Sequence, residues 1–202
     1  MQTALHILAL VKQLRREIVG ARIINTEFYK KERAAYIFLK GDAGPMALGF
    51  VFHPHGSGYF LVPASKIRIE TKEKPWPIFD LAESEVTTVD QPQLDRLFRI
   101  SLRRDGVERT LAFEVIGPNG NIWLLDSSGR KLATLRNREF QHDDLYDAPP
   151  PSERLDPRHL SAEIILNAGL KSGTVCFWIE KQVSGFNKTM AREALTRAGV
   201  PM

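Results

Sequence analysis

Between Arg96 and Leu135 the chain breaks into four short apolar runs separated by glycine-bearing turns, a rhythm that favours an antiparallel meander over other arrangements. The runs are Arg96–Leu102, Arg109–Ile116, Asn121–Leu125 and Lys131–Leu135. The first pair is joined at Arg104–Asp105–Gly106–Val107, where Asp-Gly suits the positive φ required at the centre of a two-residue hairpin. Gly117–Pro118–Asn119–Gly120 and Ser127–Ser128–Gly129 supply the other two turns.

The residues before this block also read as strands. Arg22–Tyr29, Ala34–Lys40, Pro45–His53, Gly58–Pro63 and Lys66–Glu70 are short and rich in β-branched or aromatic side chains. Gly41–Asp42–Ala43–Gly44 and Pro54 to Ser57 are turns between them. Lys72–Pro77 cannot continue a sheet, because its prolines lack a backbone donor, and a short helix is expected over Ile78–Ser84. Ahead of the strands, Thr3 can cap a helix in which Leu5, Leu8, Val11, Leu14 and Ile18 fall on one side, with Gly20 as its stop.

Past the meander, Pro149–Pro150–Pro151 stands among polar residues and reads as a stiff linker. The tail beyond is helical in composition. One helix starts from Asp156 or Ser161 and runs to about Ala168, a second covers Gly173–Gln182, and a third covers Lys188–Ala198. The expected organisation is therefore α+β: an antiparallel β domain with flanking helices over residues 1–148, a linker over 149–156, and a small all-α domain over 157–202.

Charge and cysteine content narrow the function classes. Lys and Arg exceed Asp and Glu by 28 − 24 = 4, and the pI is about 9.3, which favours an anionic partner. The single cysteine, Cys176, excludes an internal disulfide and a cysteine-based metal cluster, and its apolar surroundings suggest a buried small side chain. The opening apolar run, Ala4 to Val11, is too short to span a bilayer and lacks the form of a signal peptide, so a cytoplasmic protein without a membrane partner is expected.

Three local patterns carry possible chemistry. Val183–Ser184–Gly185–Phe186–Asn187–Lys188 is a hydrophobic-x-Gly loop followed at once by a helix with Ala191 and Leu195. In a helix-hairpin-helix such a glycine makes the turn, and amides at the second helix's start meet phosphate, with Lys181, Lys188 and Arg192 adding charge. The same glycine could equally join two packed helices. Asp95–Arg96 precedes an apolar strand. The guanidinium could fork onto phosphate and the carboxylate accept from a base amine, or the pair could be a plain dipeptide at a sheet edge. His53–Pro54–His55 could offer two metal ligands on one strand face, but with no third nearby a turn is favoured. His6 fits a buried histidine or a cleft residue equally well. No nucleophile elbow, P-loop, dinucleotide fingerprint or paired-carboxylate pattern is present, so neither a catalytic set nor a cofactor or small-molecule substrate is expected.

Together these blocks resemble the NFACT family, which includes bacterial RqcH and proteins called fibronectin-binding protein A. Leu5–Leu14 is similar to its first helix, and Val19–Gly20–Ala21–Arg22–Ile23 to the glycine-to-strand junction after it. Leu48–Leu61 resembles its apolar strand ending in His-Pro. Phe113–Gly117 followed by Asn121–Asp126 resembles its Glu-x-x-Gly and Asn-Ile-Ile-Leu-x-Asp block, and Tyr146 with Pro149–Pro151 its proline-rich exit. Asp95–Arg96 sits where the family carries its Asp-Arg pair.

The resemblance implies a fold like that of Fpg-type DNA glycosylases, a β-sandwich followed by a helix-hairpin-helix domain. It also implies a role in ribosome quality control, engaging tRNA and the large ribosomal subunit with its stalled nascent chain. The RNA-binding set it suggests is Asp95, Arg96, His6, Asn121, Gly185, Lys188 and Arg192. This chain departs from the family where Pro75–Trp76–Pro77–Ile78–Phe79 leads into an acidic stretch, and where Pro118–Asn119–Gly120 replaces Arg-His-Ser. Without the family's coiled coil and C-terminal domain, it is expected to be the N-terminal portion of a longer factor. Two other readings remain at this point. One is a DNA-binding or base-excision protein on the same fold, although Met1–Gln2–Thr3 lacks the proline nucleophile of those enzymes. The other is a fibronectin-binding adhesin.

Overall fold

The computed structural model describes residues 3–42, 44–53, 56–69, 72, 74–115, 120–136, 144–150, 152–161, 163–164 and 174–199. Helix α1 (Ala4–Glu17) is followed by nine strands: β1 (Arg22–Tyr29), β2 (Ala34–Gly41), β3 (Gly44–His53), β4 (Gly56–Pro63), β5 (Glu85–Asp90), β6 (Leu97–Arg104), β7 (Val107–Glu114), β8 (Asn121–Asp126) and β9 (Lys131–Thr134). Among the described residues of the tail lie the helices α2 (Val175–Gln182) and α3 (Lys188–Arg197). The strands form one sheet in the order β4-β3-β2-β1-β5-β6-β7-β8-β9, every pair antiparallel.

The sheet is two local meanders joined at a corner. β1 meets β5 through one register pair, Arg22 opposite Glu85, where Val86 N–H donates to Ala21 O at 2.9 Å and Gly20 N–H to Val86 O at 2.8 Å. From that corner the halves turn to face each other. Tyr59 of β4 lies edge-on to Phe98 of β6 at 5.1 Å and to Phe113 of β7 at 5.5 Å. Its buried hydroxyl donates across the gap to Glu114 O at 3.2 Å. One antiparallel sheet is thus folded over, with an aromatic core between its halves. Helix α1 buries Ile7, Leu10, Val11 and Leu14 in that core, and the Arg15 guanidinium donates to Val89 O at 2.6 Å.

The hairpin at Asp105–Gly106 has φ of +52° and +77°, as a turn of this hand requires. One strand was not foreseen, and two expectations need correction. Glu85–Asp90 is a strand, and a central one, although its Thr87–Thr88 step and flanking acids obscure the alternation of Val86 and Val89. Lys66–Glu70 is not a strand over its described residues: Ala64–Lys66 forms a 3₁₀ turn that diverts the chain from β4, and residues 67–69 are irregular. Ile78–Ser84 is not a helix. It lies along β1 with Phe79 and Leu81 buried, its backbone tied by the Thr26 hydroxyl donating to Phe79 O at 2.9 Å and by Glu83 N–H donating to Ile23 O at 2.9 Å.

The tail follows its expected helices where it is described. Thr174 caps α2 through Phe177 N–H at 3.3 Å, and Asn187 caps α3 through Met190 N–H at 2.9 Å. Asp156 caps a 3₁₀ turn, Pro157–His159, and Ser161 accepts from Ile164 N–H at 3.2 Å. The body of that first tail helix lies outside the described residues, as do Pro54, His55, Pro151 and most of the turn before Gly120. Cys176 is half-buried on α2, with its sulfur 4.0 Å from Lys188 O, and not enclosed as its apolar neighbours suggested.

Candidate functional site

The loop between β5 and β6 is held to the start of α1. Gln93 takes a φ of +56°, and the Gln91 side-chain amide donates to Ala4 O at 3.0 Å and also to Asp95 O. This fixes Asp95 and Arg96 just before β6. Asp95 Oδ1 accepts the backbone N–H of Arg96 at 2.6 Å, and Arg96 O accepts Val115 N–H at 2.8 Å. The backbone of the pair is therefore committed to the sheet, while its side chains are half-buried at the edge of a cleft.

The tail forms the opposite wall. Leu155 N–H donates to Gln182 O at 2.7 Å and Ser184 N–H to Leu155 O at 2.8 Å, so the segment after the prolines pairs with the loop between α2 and α3. The Ser184 hydroxyl donates to Leu94 O at 2.8 Å, and Gly185 packs directly on Leu5 of α1. At Gly185, φ is +79°, and a Cβ there would stand 2.8 Å from Leu5 Cγ and 3.2 Å from Leu5 N. Glycine is required on both counts.

These two walls enclose about 420 Å³. Asp95, Arg96, Arg154, Ser152, Thr3 and Asn187 contribute polar groups to it, and Pro150 and Phe186 apolar surface. Two guanidinium groups, two hydroxyls and a carboxamide against a single carboxylate make a donor-rich recess. It suits an anionic ligand that also carries donors of its own. The Arg154 guanidinium is steadied by Glu180 O at 3.3 Å.

Of the residues singled out in the sequence, Asp95, Arg96 and Gly185 meet in this cleft. Lys188 opens α3 immediately after the cleft residue Asn187, and Arg192 lies one turn further on; both are exposed. His6 is exposed and closes the start of α1, its Nδ1 3.1 Å from Thr3 N and 2.9 Å from Thr3 Oγ1, so it positions a cleft residue without lining the cleft. Asn121 corrects its expectation. It is fully buried, its amide N–H donating to Thr134 Oγ1 at 2.7 Å and its Oδ1 accepting Arg136 N–H at 3.0 Å, which leaves no face for RNA. Arg154, Ser152 and Thr3 were not foreseen as site residues. The pairing of Leu155 with the tail loop helps bring the first two to the cleft, and no local pattern signals that pairing.

Among curated protein sequences none matches the chain. Solved structures do. The N-terminal domain of fibronectin-binding protein PavA from Streptococcus pneumoniae superposes with a TM-score of 0.82 at 19% identity, covering 98% of this chain and 83% of that one. The N-terminal part of the fibronectin/fibrinogen-binding protein FBPS from Streptococcus suis gives 0.80 at 17% identity, covering 96% and 78%. The fibrinogen-binding protein from Staphylococcus aureus gives 0.79 at 16%, covering 99% and 76%. At these identities the likeness concerns the fold. The sequence itself matches the NFACT N-terminal and middle domains over residues 79–202, a span holding β5 to β9, the Asp95–Arg96 pair and the whole described tail, and the chain belongs to that family.

Proposed function

We propose that this chain is the RNA-binding module of a ribosome quality-control factor, engaging tRNA and the large ribosomal subunit that carries a stalled nascent chain. The observation that carries the reading is the meeting of Asp95 and Arg96 with Gly185 and Arg154 around one donor-rich cleft. Guanidinium groups fork onto phosphate, and a neighbouring carboxylate accepts from base amines, so this pair can both hold a backbone and sense a base. A basic chain supplies the sequence-independent attraction. In this reading the protein binds and does not catalyse, works in the cytoplasm, and needs neither membrane nor small molecule. Its folded-over sheet is taken as kin to the N-terminal domain of Fpg-type glycosylases, and α2–α3 as a helix-hairpin-helix.

The test is titration with tRNA at two salt concentrations. Arg96→Ala is expected to weaken binding about tenfold, the scale of one well-placed bidentate contact, and Asp95→Ala to weaken it less. Wild-type affinity in both variants would remove the assigned site. A second reading, an adhesin for fibronectin or fibrinogen, draws on the printed names of the structural relatives. Binding of fibronectin by the purified chain, with no binding of tRNA, would favour it.

A further inference from the structure

A second recess, of about 510 Å³, lies between the end of β1 and the end of β9. Half-buried Phe28, Ile78 and Leu135 line it, with Trp76 exposed beside them. Trp76 is 65% exposed as a residue, while Trp123 is almost wholly enclosed. A lone exposed apolar side chain is ordinary, but this ring stands beside a recess that Phe28, Ile78 and Leu135 already line with apolar surface. Nor is it on a loose arm. Phe28 N–H donates to Trp76 O at 2.9 Å and Trp76 N–H donates to Phe28 O at 3.0 Å, and prolines stand on both sides of it. A ring on so fixed a mount loses little freedom when something stacks on it.

Cations belong to the same recess. Lys30 is exposed just past β1. Arg136 is held in place: its peptide N–H donates to Asn121 Oδ1 at 3.0 Å, its guanidinium donates to Gly120 O at 3.3 Å, and it lies over the Phe52 ring at 5.7 Å. Among the described residues no carboxylate lines the recess. A flat aromatic platform with fixed positive charge matches a ligand that has a π-face and a phosphate in each repeating unit. An acidic peptide would use the charges and leave the indole idle; a proline-rich peptide would do the reverse.

We propose that this recess seats an unpaired nucleotide of single-stranded RNA, its base stacked on Trp76 and its phosphates near Lys30 and Arg136. The seat is separate from the Asp95–Arg96 cleft and does not depend on the role assigned to that cleft. Strand register separates the two: from the row Arg22–Glu85–Arg103, β1 runs one way to Tyr29, while Leu97 at the start of β6 lies the other way.

The experiment uses the whole chain and a six-nucleotide oligoadenylate. Oligoadenylate should quench the fluorescence of the wild type, and the quench should vanish in Trp76→Phe while affinity, read by polarisation of a labelled oligonucleotide, stays within about threefold. In Trp76→Ala affinity should fall about tenfold. Lys30→Ala should weaken binding and lower the salt slope by about 0.7, the value for one phosphate contact on a single strand. Wild-type affinity in Trp76→Ala, or quenching that persists in Trp76→Phe, overturns the proposal. So does an acidic or proline-rich peptide that quenches Trp76 where oligoadenylate does not. Oligoadenylate binding that needs Trp76 but survives Arg96→Ala supports the seat even if tRNA titration fails.

Discussion

The Tyr146 hydroxyl donates to Glu114 Oε1 at 3.0 Å, and the same oxygen accepts Trp123 Nε1–H at 3.0 Å. Glu114 ends β7 and is almost wholly buried, whereas Tyr146 belongs to the chain leaving β9. One carboxylate oxygen thus ties the exit segment to the sheet just before Pro150, Ser152 and Arg154, which wall the cleft. Burial, then the Glu114 charge and its hydrogen bond, push the Tyr146 phenol well above its ordinary value, so it stays a donor across the accessible pH range.

Tyr146→Phe removes that donor without changing the ring. A loss of about 1–3 kcal/mol is expected, because a buried carboxylate is left with poorer solvation. Urea denaturation measures it. Amide exchange should also quicken at residues 152–155, and exchange at the wild-type rate there would show that the tie does not hold the cleft wall.

Gly185→Ala should cost about 2 kcal/mol or more. Part comes from the left-handed φ, at about 1–2 kcal/mol, and part from the approach to Leu5. In a Leu5→Ala background the clash with Cγ is relieved, while the φ cost and the approach to the Leu5 backbone N remain. Thermal unfolding of the four proteins gives the cycle.

Asn121→Ala should destabilise by about 1–3 kcal/mol, since the backbone N–H of Arg136 and the Thr134 hydroxyl both lose a partner. Its effect on tRNA binding should be confined to whatever passes through Arg136. A variant with wild-type stability that loses tRNA binding completely would return Asn121 to the RNA-contacting set.

The Arg158 guanidinium holds the Asp156 carboxyl down to about 2 by hydrogen bonding, helped by Arg158 N–H at 2.9 Å. A depressed carboxyl contributes stability above its unfolded value of 3.8, and the contribution fades as pH falls towards 2. The Arg158 side chain is half exposed, so solvent screening reduces the effect to about 0.5 kcal/mol. The stability difference between wild type and Asp156→Asn, followed from pH 6 to pH 2, should shrink through that window.

The hairpins were legible because turn chemistry is local: Asp105–Gly106 announces its own φ, and the meander follows. Glu85–Asp90 was not, because its place is set by partners on both sides and not by a strong pattern of its own. Ile78–Ser84 read as a helix for want of a visible strand period, and only its bonds to β1 decide otherwise. In the cleft, Asp95, Arg96 and Gly185 came forward through the family resemblance, because residue type and spacing alone left a plain dipeptide and a simple helix joint open. Arg154 and Thr3 arrive there through long-range pairing, which one sequence does not display. Asn121 belonged to the same set, yet a polar residue in an apolar block can mark a buried support as readily as an exposed contact.

Because β1 and β5 touch at little more than the Arg22–Glu85 corner, each meander can assemble from neighbours in sequence before the other exists. Such hairpins close short loops quickly, and the slow, entropically demanding event is the late docking of one finished half upon the other. A substitution at Tyr59, which meets Phe98 and Phe113 only after that docking, should therefore speed unfolding far more than it slows folding.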